Sequence, residues 1–257
     1  MIDIHSHILP GVDDGAKTEA DSLEMAKMAV KEGITKIVAS PHHKNRHYEN
    51  YKEEIVTHVN VLNELLQAND IPLEVLVGQE VRIYGEVLAD YENGEIQTIN
   101  DTNYLLIEFP FKSVPQYADQ LIYDLQIAGL RPIIVHPERN QELLENKERM
   151  YELIRGGALS QVTAASLLGK FGKDAEQFAF ELIEADLTHF IASDAHNVTN
   201  RAFHMQEAIS VIDDKFGADI AYMLRENSHL LVENLNIHQL EPRPIKRKRS
   251  FFSFFKK

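Results

Sequence analysis

Histidine and acidic residues recur along this 257-residue sequence, each time at or just after a short apolar run. His5 and His7 follow the first run, and Asp194 and His196 form a similar pair after the last one. Residues two apart at the end of a strand project to the same face, so each pair could bind one ion. Further candidates of the same kind lie between the two pairs, namely Asp14, His42, Glu80, Glu108 and His136.

The mixed donor set narrows the choice of metal. Imidazole and carboxylate ligands without thiolate suit manganese, iron or zinc rather than calcium or copper(I). These nine candidates are too many for one ion, but carboxylates that bridge ions would let them serve two or three. Sites with ions about 3.5–4 Å apart generate hydroxide and hold phosphate esters for in-line displacement. We therefore expect a site for two or three ions.

Each signal also has a simpler interpretation. A pair of histidines two apart is often incidental, and His136, after the run Pro-Ile-Ile-Val, could be a hydrogen-bonded core histidine. Glu108 ends a buried run, where a carboxylate is costly unless an arginine or a metal compensates its charge. The joint pattern favours a metal site over these separate explanations. Asp13, beside Asp14, is expected to orient a ligand.

The elements that must position these residues alternate along the chain. Strand-like runs span residues 2–5, 36–40, 73–78, 104–109, 132–136, 159–163 and 188–193. Helical patterns cover 18–33, 117–129, 142–156 and 165–185, and the irregular segment 85–99 is expected to hold one short helix. This alternation predicts parallel β/α repetition, as either a barrel or a doubly wound sheet. In a barrel, catalytic groups come from the carboxyl ends of several strands, which is where the candidates fall.

Composition excludes several classes of protein. The chain has no cysteine, which rules out disulfides, zinc–thiolate sites, iron–sulfur clusters and phosphatases with a thiolate nucleophile. The net charge is −14, and every acidic residue lies before residue 243. Such a body repels nucleic acid, so no nucleic-acid partner is expected. An anionic substrate would need a local attraction, for example from bound metal.

The ends of the chain bear on localisation. No run approaches 18 apolar residues and the N-terminus does not resemble a signal peptide, so we expect a cytoplasmic protein. We divide the chain into a catalytic domain at 1–242 and a tail at 243–257. The tail joins basic residues to four phenylalanines. It is either solvated or docks reversibly on anionic lipid, which would hold the protein at the inner face of the membrane.

Six segments carry a resemblance to a known family: MIDIHSHILPGVDDG, SPHH, GQEVRIYGE, LLIEFPF, VHPERN and IASDAHN. In this order they resemble the PHP (polymerase and histidinol phosphatase) superfamily, and within it the bacterial protein-tyrosine phosphatases of the CpsB/CapC/YwqE type. The resemblance runs from Met1 to about Leu235. It implies a distorted (β/α)7 barrel, the PHP fold, with a trinuclear metal centre. Mn²⁺ becomes the first expectation for the metal, with iron or zinc as alternatives.

The resemblance also implies how the candidate ligands divide among three ions. His5, His7, Glu80 and Asp194 would hold the first ion, and Glu80 would bridge to the second. The second site would be completed by Glu108 and His136. The third would consist of Asp14, His42 and His196.

Two arginines match the positions that bind the phosphoryl group in this family, namely Arg139 and Arg201. Their planar guanidinium forks suit phosphate oxygens, although each arginine could be an ordinary surface charge. A metal-bridging hydroxide would then attack phosphorus in line with the ester oxygen. Either His42 or His196 would protonate the leaving group.

The resemblance implies a manganese-dependent protein-tyrosine phosphatase. Its substrate would be phosphotyrosine on a membrane-associated bacterial tyrosine kinase and on that kinase's substrates, linked to capsular or extracellular polysaccharide synthesis. One alternative is a small-molecule phosphoesterase of the same superfamily, such as a histidinol phosphatase. The other is a non-catalytic module that binds the kinase without turnover.

Overall fold

Parallel strands form the centre of the fold, which a computed structural model describes for residues 1–245. The strands are β1 (Ile2–Ser6), β2 (Lys36–Ala39), β3 (His42–His43), β4 (Glu74–Val77), β5 (Glu80–Arg82), β6 (Tyr104–Glu108), β7 (Arg131–Val135), β8 (Leu159–Thr163) and β9 (Phe190–Ala192). The expected seven runs all contain strands. Two short strands, β3 and β5, were not predicted, and each continues the strand before it after a two-residue break.

The strands close into a barrel. Their hydrogen-bonded orders are β1-β2-β4 and β3-β5-β6-β7-β8-β9, and all pairs are parallel. The chain joins the two sheets because β2 leads into β3 and β4 leads into β5. The segment after β9 returns to β1, where the His7 N–H donates to Ala195 O at 2.8 Å and the Asp194 N–H donates to His5 O at 2.9 Å. This closure confirms the distorted barrel and excludes an open doubly wound sheet.

Helices surround the barrel. They are α1 (Glu19–Lys31), α2 (Lys52–Ala68), α3 (Val87–Glu92), α4 (Ala118–Ile127), α5 (Gln141–Glu145), α6 (Lys147–Arg155), α7 (Ala164–Leu167), α8 (Lys173–Glu184), α9 (Met205–Phe216) and α10 (Ala218–Val232). Within residues 1–245, none of them combines the length and the apolar character needed to cross a bilayer. The single short helix expected in segment 85–99 is α3.

The first helix begins and ends as its sequence predicts. The Asp21 N–H donates to the Thr18 hydroxyl at 3.2 Å, and the Thr18 N–H donates to the Asp21 carboxylate at 2.9 Å. This reciprocal capping box satisfies two backbone donors that a helix end otherwise leaves unpaired. Gly33 follows the helix with a φ of +78°, a left-handed conformation that glycine adopts without steric cost.

The prediction of one continuous helix over 165–185 is wrong. α7 ends at Leu167 and α8 begins only at Lys173, with Gly169 at φ +69° and Gly172 at φ +92° between them. Two left-handed residues cannot belong to one right-handed helix, so the chain loops outward here. The helix predicted over 142–156 is likewise divided, at Asn146, into α5 and α6.

Two apolar clusters support the barrel. The smaller cluster contains Leu106, Ile133, Leu159 and Phe190 and fills the interior. Alternate residues of a strand share a face, so Leu106 lies beneath Glu108 on β6. The larger cluster packs the outer strand faces against the surrounding helices. The site candidates therefore stand on a close-packed base, which limits their freedom to shift.

The end of the described chain contacts the body. The Arg243 N–H donates to Ala185 O at 2.9 Å, and the Arg243 guanidinium lies 2.7 Å from the Asp186 carboxylate. The rest of the basic and aromatic tail, 246–257, lies outside the described residues. The proposed division at residue 242 and the contact with lipid therefore remain predictions.

Gly78 provides a test of the break between β4 and β5. A Cβ at this position would lie 2.4 Å from Val38 Cγ1 and 3.2 Å from Ala39 O. We predict that Gly78→Ala lowers the free energy of unfolding by roughly 1–3 kcal/mol, the usual cost of overpacking. Gly85→Ala is the matched control, because a Cβ there meets nothing within 4 Å. Urea unfolding followed by circular dichroism measures both, and equal stability of the two variants would contradict the prediction.

Candidate active site

Four buried side chains at the carboxyl ends of the strands converge on one point. His7 Nε2 lies 3.4 Å from Glu80 Oε2 and 3.4 Å from Asp194 Oδ1. His5 Nε2 lies 3.5 Å from the same Glu80 oxygen and 3.6 Å from the same Asp194 oxygen. Ligand atoms about 2.1 Å from one ion in tetrahedral geometry lie ~3.4 Å apart, so this spacing suits a shared cation. The structure thus brings together the four residues expected at the first ion.

A second group lies beside the first. Asp14 Oδ1 is 3.3 Å from His42 Nε2 and 3.3 Å from His196 Nε2. His7 belongs to this group as well, because one ligand atom from each of the four residues lies within 4.8 Å of the others. The structure therefore brings together the three residues expected at the third ion, with His7 shared between the two groups.

Glu80 connects the remaining candidates. Its Oε1 lies 2.8 Å from His136 Nε2, and its Oε2 lies 2.8 Å from His42 Nδ1. Glu108 Oε2 lies 3.8 Å from that same His42 nitrogen. Glu80, Glu108 and His42 each offer a ligand atom within 4.8 Å of the others, whereas the resemblance grouped Glu80 and Glu108 with His136, which contacts Glu80 alone of these two. A bridging role for Glu80 agrees with its contacts on both oxygens.

Glu108 also has the arginine partner that the sequence left open. Arg82 Nη2 lies 3.0 Å from Glu108 Oε2, and Arg82 Nη1 donates to Phe109 O at 2.9 Å. The ion pair and the proximity to Glu80 occur together, so the two interpretations of Glu108 do not exclude each other. Arg82 was not predicted as a site residue, although it lies two positions after Glu80 on β5.

Unpaired polar atoms test whether this cluster suits a metal. Buried polar atoms are normally hydrogen-bonded, and an unpaired one is costly. Seven buried atoms of the cluster make no well-aligned hydrogen bond, although Glu108 Oε2 has its ion pair with Arg82: His5 Nε2, His7 Nε2, His42 Nδ1, Glu80 Oε2, Glu108 Oε2, Asp194 Oδ1 and His196 Nε2. Nitrogen and carboxylate donors that share one space are the ligand set of a divalent transition metal. The residues therefore fit the metal ions that the sequence predicts.

The pKa shifts of His136, His196 and Glu108 agree with this interpretation. Burial, and then the charge of Arg139, lowers the pKa of His136 to about 3. Burial, and then the charge of His7, lowers the pKa of His196 to about 4. Both rings are therefore neutral at neutral pH, the form in which imidazole binds a metal. Burial, and then the charge of Glu80, raises the pKa of Glu108 to about 7, a repulsion that a divalent cation would relieve.

Neighbouring groups hold the histidine rings in orientation. His7 Nδ1 lies 2.6 Å from Asp13 Oδ2, and His5 Nδ1 lies 2.9 Å from Gln161 Oε1. Partners of this kind fix the tautomer and direct the other ring nitrogen toward a ligand site. The predicted supporting role of Asp13 agrees with this geometry. Gln161, on β8, was missed because an amide inside a strand carries no signal of metal chemistry.

Local backbone irregularities aim the candidate ligands. His136 directly follows β7 and has a φ angle of +38°. Asp194 is the second residue after β9 and has a φ angle of +51°. Left-handed conformations are uncommon for residues with a Cβ, and they concentrate at functional sites. The pairing of β1 with β2 shifts register between Asp3 and Ser6, and bulges of this kind re-aim a side chain beside a site.

The two arginines converge on one carboxylate oxygen. Arg139 Nη2 lies 2.7 Å from Asp194 Oδ2, and Arg201 Nη2 lies 2.8 Å from the same atom. Asp194 Oδ1 faces His5 and His7, so this carboxylate separates the histidine cluster from the guanidinium groups. Because both arginines contact Asp194 beside the candidate metal ligands, neither is an isolated surface charge.

A buried glutamate anchors the turn that carries Arg139. Glu138 is fully buried, and its Oε1 accepts from the Thr163 N–H at 3.0 Å and from the Ser166 hydroxyl at 2.6 Å. These bonds tie the turn after β7 to the end of β8 and the start of α7. In the sequence, Glu138 is only one more charged residue beside Arg139, so the sequence alone does not predict that Glu138 is buried.

A cavity of about 380 Å³ opens onto the cluster. It is lined by Asp14, His42, Glu108, His136, Arg139, Asp194 and Arg201 together with the aromatic residues Phe109, Phe111 and Phe171. Neither Phe111 nor Phe171 was predicted at the site, and Phe171 fell inside the helix predicted over 165–185. His43, next to the candidate ligand His42, is buried in β3 and packs against Tyr51.

A closed β/α barrel with buried imidazole and carboxylate groups at the carboxyl ends of its strands defines a metal-dependent barrel enzyme. Comparison with known proteins makes this class specific. A family model described as capsular polysaccharide synthesis, CpsB/CapC, matches residues 1–233. The chain belongs to the CpsB/CapC family, as the resemblance in its sequence implied.

Individual relatives agree with this membership. The chain is 52% identical to the tyrosine-protein phosphatase YwqE of Bacillus subtilis (strain 168) over 255 residues, which cover 99% of this chain and 100% of the relative. It is 32% identical to the tyrosine-protein phosphatase CpsB of Streptococcus pneumoniae, covering 85% and 92% of the two chains. A solved structure from work on YwqE and CpsB, described as unique metal-dependent tyrosine phosphatases, matches with a TM-score of 0.94 and 53% identity over 96% of this chain and 100% of that one.

His136 offers a test of the metal cluster by substitution. Asparagine tolerates the left-handed backbone of this position but removes the imidazole. We predict that His136→Asn weakens the binding of at least one ion by roughly 10–100-fold or more, since loss of even a supporting group has this effect. Metal analysis after dialysis measures ions per chain, and thermal unfolding measures the stabilisation by added Mn²⁺.

His58→Asn, on the exposed face of α2, is the control for this substitution. It should retain the native metal content and the full rise in unfolding temperature. Unchanged metal content in His136→Asn would exclude His136 as a ligand.

Proposed function

We propose that this chain is a metal-dependent protein-tyrosine phosphatase, which hydrolyses phosphotyrosine in proteins. The observation that carries the proposal is the convergence of the unpaired donor atoms and two arginines on one cavity with aromatic walls. A metal cluster and cationic groups for the phosphoryl oxygens together suit the hydrolysis of phosphate monoesters. The relatives, which are tyrosine-protein phosphatases, support the same conclusion.

We assign the metal ions to the nine candidate ligands. His5, His7, Glu80 and Asp194 would hold one ion, Glu80, Glu108 and His136 a second, and Asp14, His42 and His196 a third. Divalent ions held there would lower the pKa of bound water and polarise the phosphoryl oxygens. Mn²⁺ is our first choice, because the donors combine carboxylates with imidazoles and include no thiolate, and iron or zinc are the alternatives.

Arg139 and Arg201 would bind the phosphoryl group. Both guanidinium groups line the cavity and rest on Asp194 Oδ2, so an incoming phosphate meets them in position. Their planar forks donate paired hydrogen bonds to phosphate oxygens and offset the negative charge that develops there. This local positive charge explains how a strongly acidic protein could capture an anionic substrate.

His42 is the better placed of the two candidate proton donors. Its side chain lines the cavity and is 12% exposed, whereas that of His196 is 2% exposed. A leaving tyrosine has a pKa of about 10, so it needs less protonation than an alkyl alcohol would. The chain has no cysteine, so no thiolate forms a phosphoenzyme.

The family description suggests the setting of the reaction. Because it names capsular polysaccharide synthesis, we propose that the phosphotyrosines belong to a membrane-associated bacterial tyrosine kinase and to that kinase's substrates. The phosphatase would then act in the cytoplasm, at the inner face of the membrane. A small-molecule phosphoesterase or a non-catalytic kinase-binding module are the rival functions, and the experiments below separate them.

Removal and return of metal test the reaction itself. We expect chelator-stripped protein to release no phosphate from a phosphotyrosine peptide and to recover activity when Mn²⁺ is added, because ions held by the candidate ligands would activate the attacking water. His136→Asn should stay inactive under the same conditions. Turnover of histidinol phosphate instead of the peptide would favour the small-molecule phosphoesterase. No turnover of either ester, with metal bound, would favour the binding module.

Substitution of the arginines tests their role in phosphate capture. We predict that Arg139→Ala and Arg201→Ala each lower kcat/KM for the peptide by about 10–100-fold, since a hydrogen bond to a charged group is worth about 1.5–3 kcal/mol. Metal content should remain native. Arg149→Ala, which removes a surface pair with Asp119, is the control. Loss of metal in the active-site variants would mean that these arginines support the cluster rather than the substrate.

A further inference from the structure

We propose that Phe111 and Phe171 form an aromatic clamp that binds the phenyl ring of the substrate and selects aryl over alkyl phosphates. This inference rests on the proposed phosphatase function and adds the residues that determine its specificity. Both side chains line the same cavity as Arg139, Asp194 and Arg201. A phosphoryl group held by the arginines would therefore have these two rings beside its ester substituent.

The exposure of both rings indicates an apolar ligand. Phe111 is 68% exposed and Phe171 is 37% exposed, although most large apolar side chains of the described chain are buried. An exposed phenylalanine forgoes the favourable free energy of burial, and exposed apolar groups at the mouth of a cavity mark binding sites. A phenyl ring between them would remove apolar surface of both from water.

Contacts with the segment that carries Arg139 hold the Phe171 ring and the backbone of the Phe111 loop. The Arg139 guanidinium carbon lies 4.8 Å from the centroid of the Phe171 ring, within the range of a cation–π interaction. The Phe111 loop is held by Asn140, whose side-chain amide donates to Pro110 O at 2.8 Å, and by the Gln141 N–H, which donates to Phe111 O at 2.9 Å. Both rings are thus tied to the segment that includes Arg139.

The backbone around Phe171 does not form the helix that its apolar periodicity predicts. A single helix over 165–185 would suit the apolar periodicity, yet Gly169 and Gly172 interrupt it with left-handed conformations. The resulting loop carries Phe171 between the two glycines and onto the cavity. Functional sites are where local sequence preference and the observed structure are expected to disagree.

Aromatic walls would discriminate by the ester substituent and leave phosphate binding unchanged. Stacked or edge-to-face rings attract each other beyond the effect of burial alone. A serine or threonine phosphate has no ring to fill the space, whereas a tyrosine phosphate does. The metal cluster and the arginines contact only the phosphoryl group, which all of these esters share.

Two phosphonates that differ by one phenyl ring test the proposal. The dissociation constants of benzylphosphonate and methylphosphonate are measured by calorimetry on the full-length, metal-loaded protein and on Phe111→Ala and Phe171→Ala. We expect the native protein to bind benzylphosphonate more tightly. Each substitution should raise the dissociation constant of benzylphosphonate about tenfold, as expected for the loss of one aromatic contact together with its buried area. That of methylphosphonate should stay within about twofold.

Control variants separate the clamp from general damage. Phe111→Tyr keeps a ring and should retain the native preference, and Tyr123→Ala removes an exposed aromatic side chain of α4 outside the cavity lining and should change neither constant. Equal binding of both phosphonates by the native protein, or equal weakening of both by the substitutions, would overturn the clamp.

Turnover of a phosphotyrosine peptide by the native protein is scored separately. A preference for benzylphosphonate without turnover of the peptide would contradict the proposed function while leaving the aryl site intact. Turnover of the peptide without a preference for benzylphosphonate would support the proposed function and overturn the aromatic clamp.

Discussion

The structure depends on the compensation of negative charge inside the barrel. Glu80 and Asp194 are almost completely buried, and Glu108 lies close to Glu80. Buried carboxylates are unfavourable unless cations and hydrogen bonds surround them. Arg82, Arg139 and Arg201 supply part of this charge, and the remaining unpaired oxygens and imidazole nitrogens share the space of the candidate metal cluster. We therefore expect folding of the strand ends and binding of metal to be coupled in this protein.

Asp194 links the two halves of the site. One of its carboxylate oxygens faces His5 and His7, and the other receives both arginines. The left-handed backbone at this residue allows it to stand between them. A shift of β9 would therefore move the candidate metal ligands and the phosphoryl-binding groups together. The hydrogen bonds that join this segment to β1 and close the barrel thus also set the distance between the two halves.

The sequence predicts the strands and the clustered ligands because both follow simple rules. Parallel strands bring their carboxyl ends to one edge, so residues such as His5, Glu80 and His136 meet without any knowledge of loops. Gln161 and Arg82 could not be found in this way, since their roles depend on which strands become neighbours. Phe171 was hidden by an apolar periodicity that the left-handed glycines beside it override.

Charged and aromatic residues line the same cavity, and their different chemistry indicates how one fold can serve different phosphate esters. In the proposed function, Arg139, Arg201 and the candidate ligands of the cluster would recognise the phosphoryl group, which all phosphate monoesters share. Selectivity would then come from residues farther from phosphorus, such as Phe111 and Phe171 on the loops that line the cavity. Loops tolerate change more readily than the strands that hold the ligands. Substrate preference can therefore change through these loops while the buried cluster stays constant.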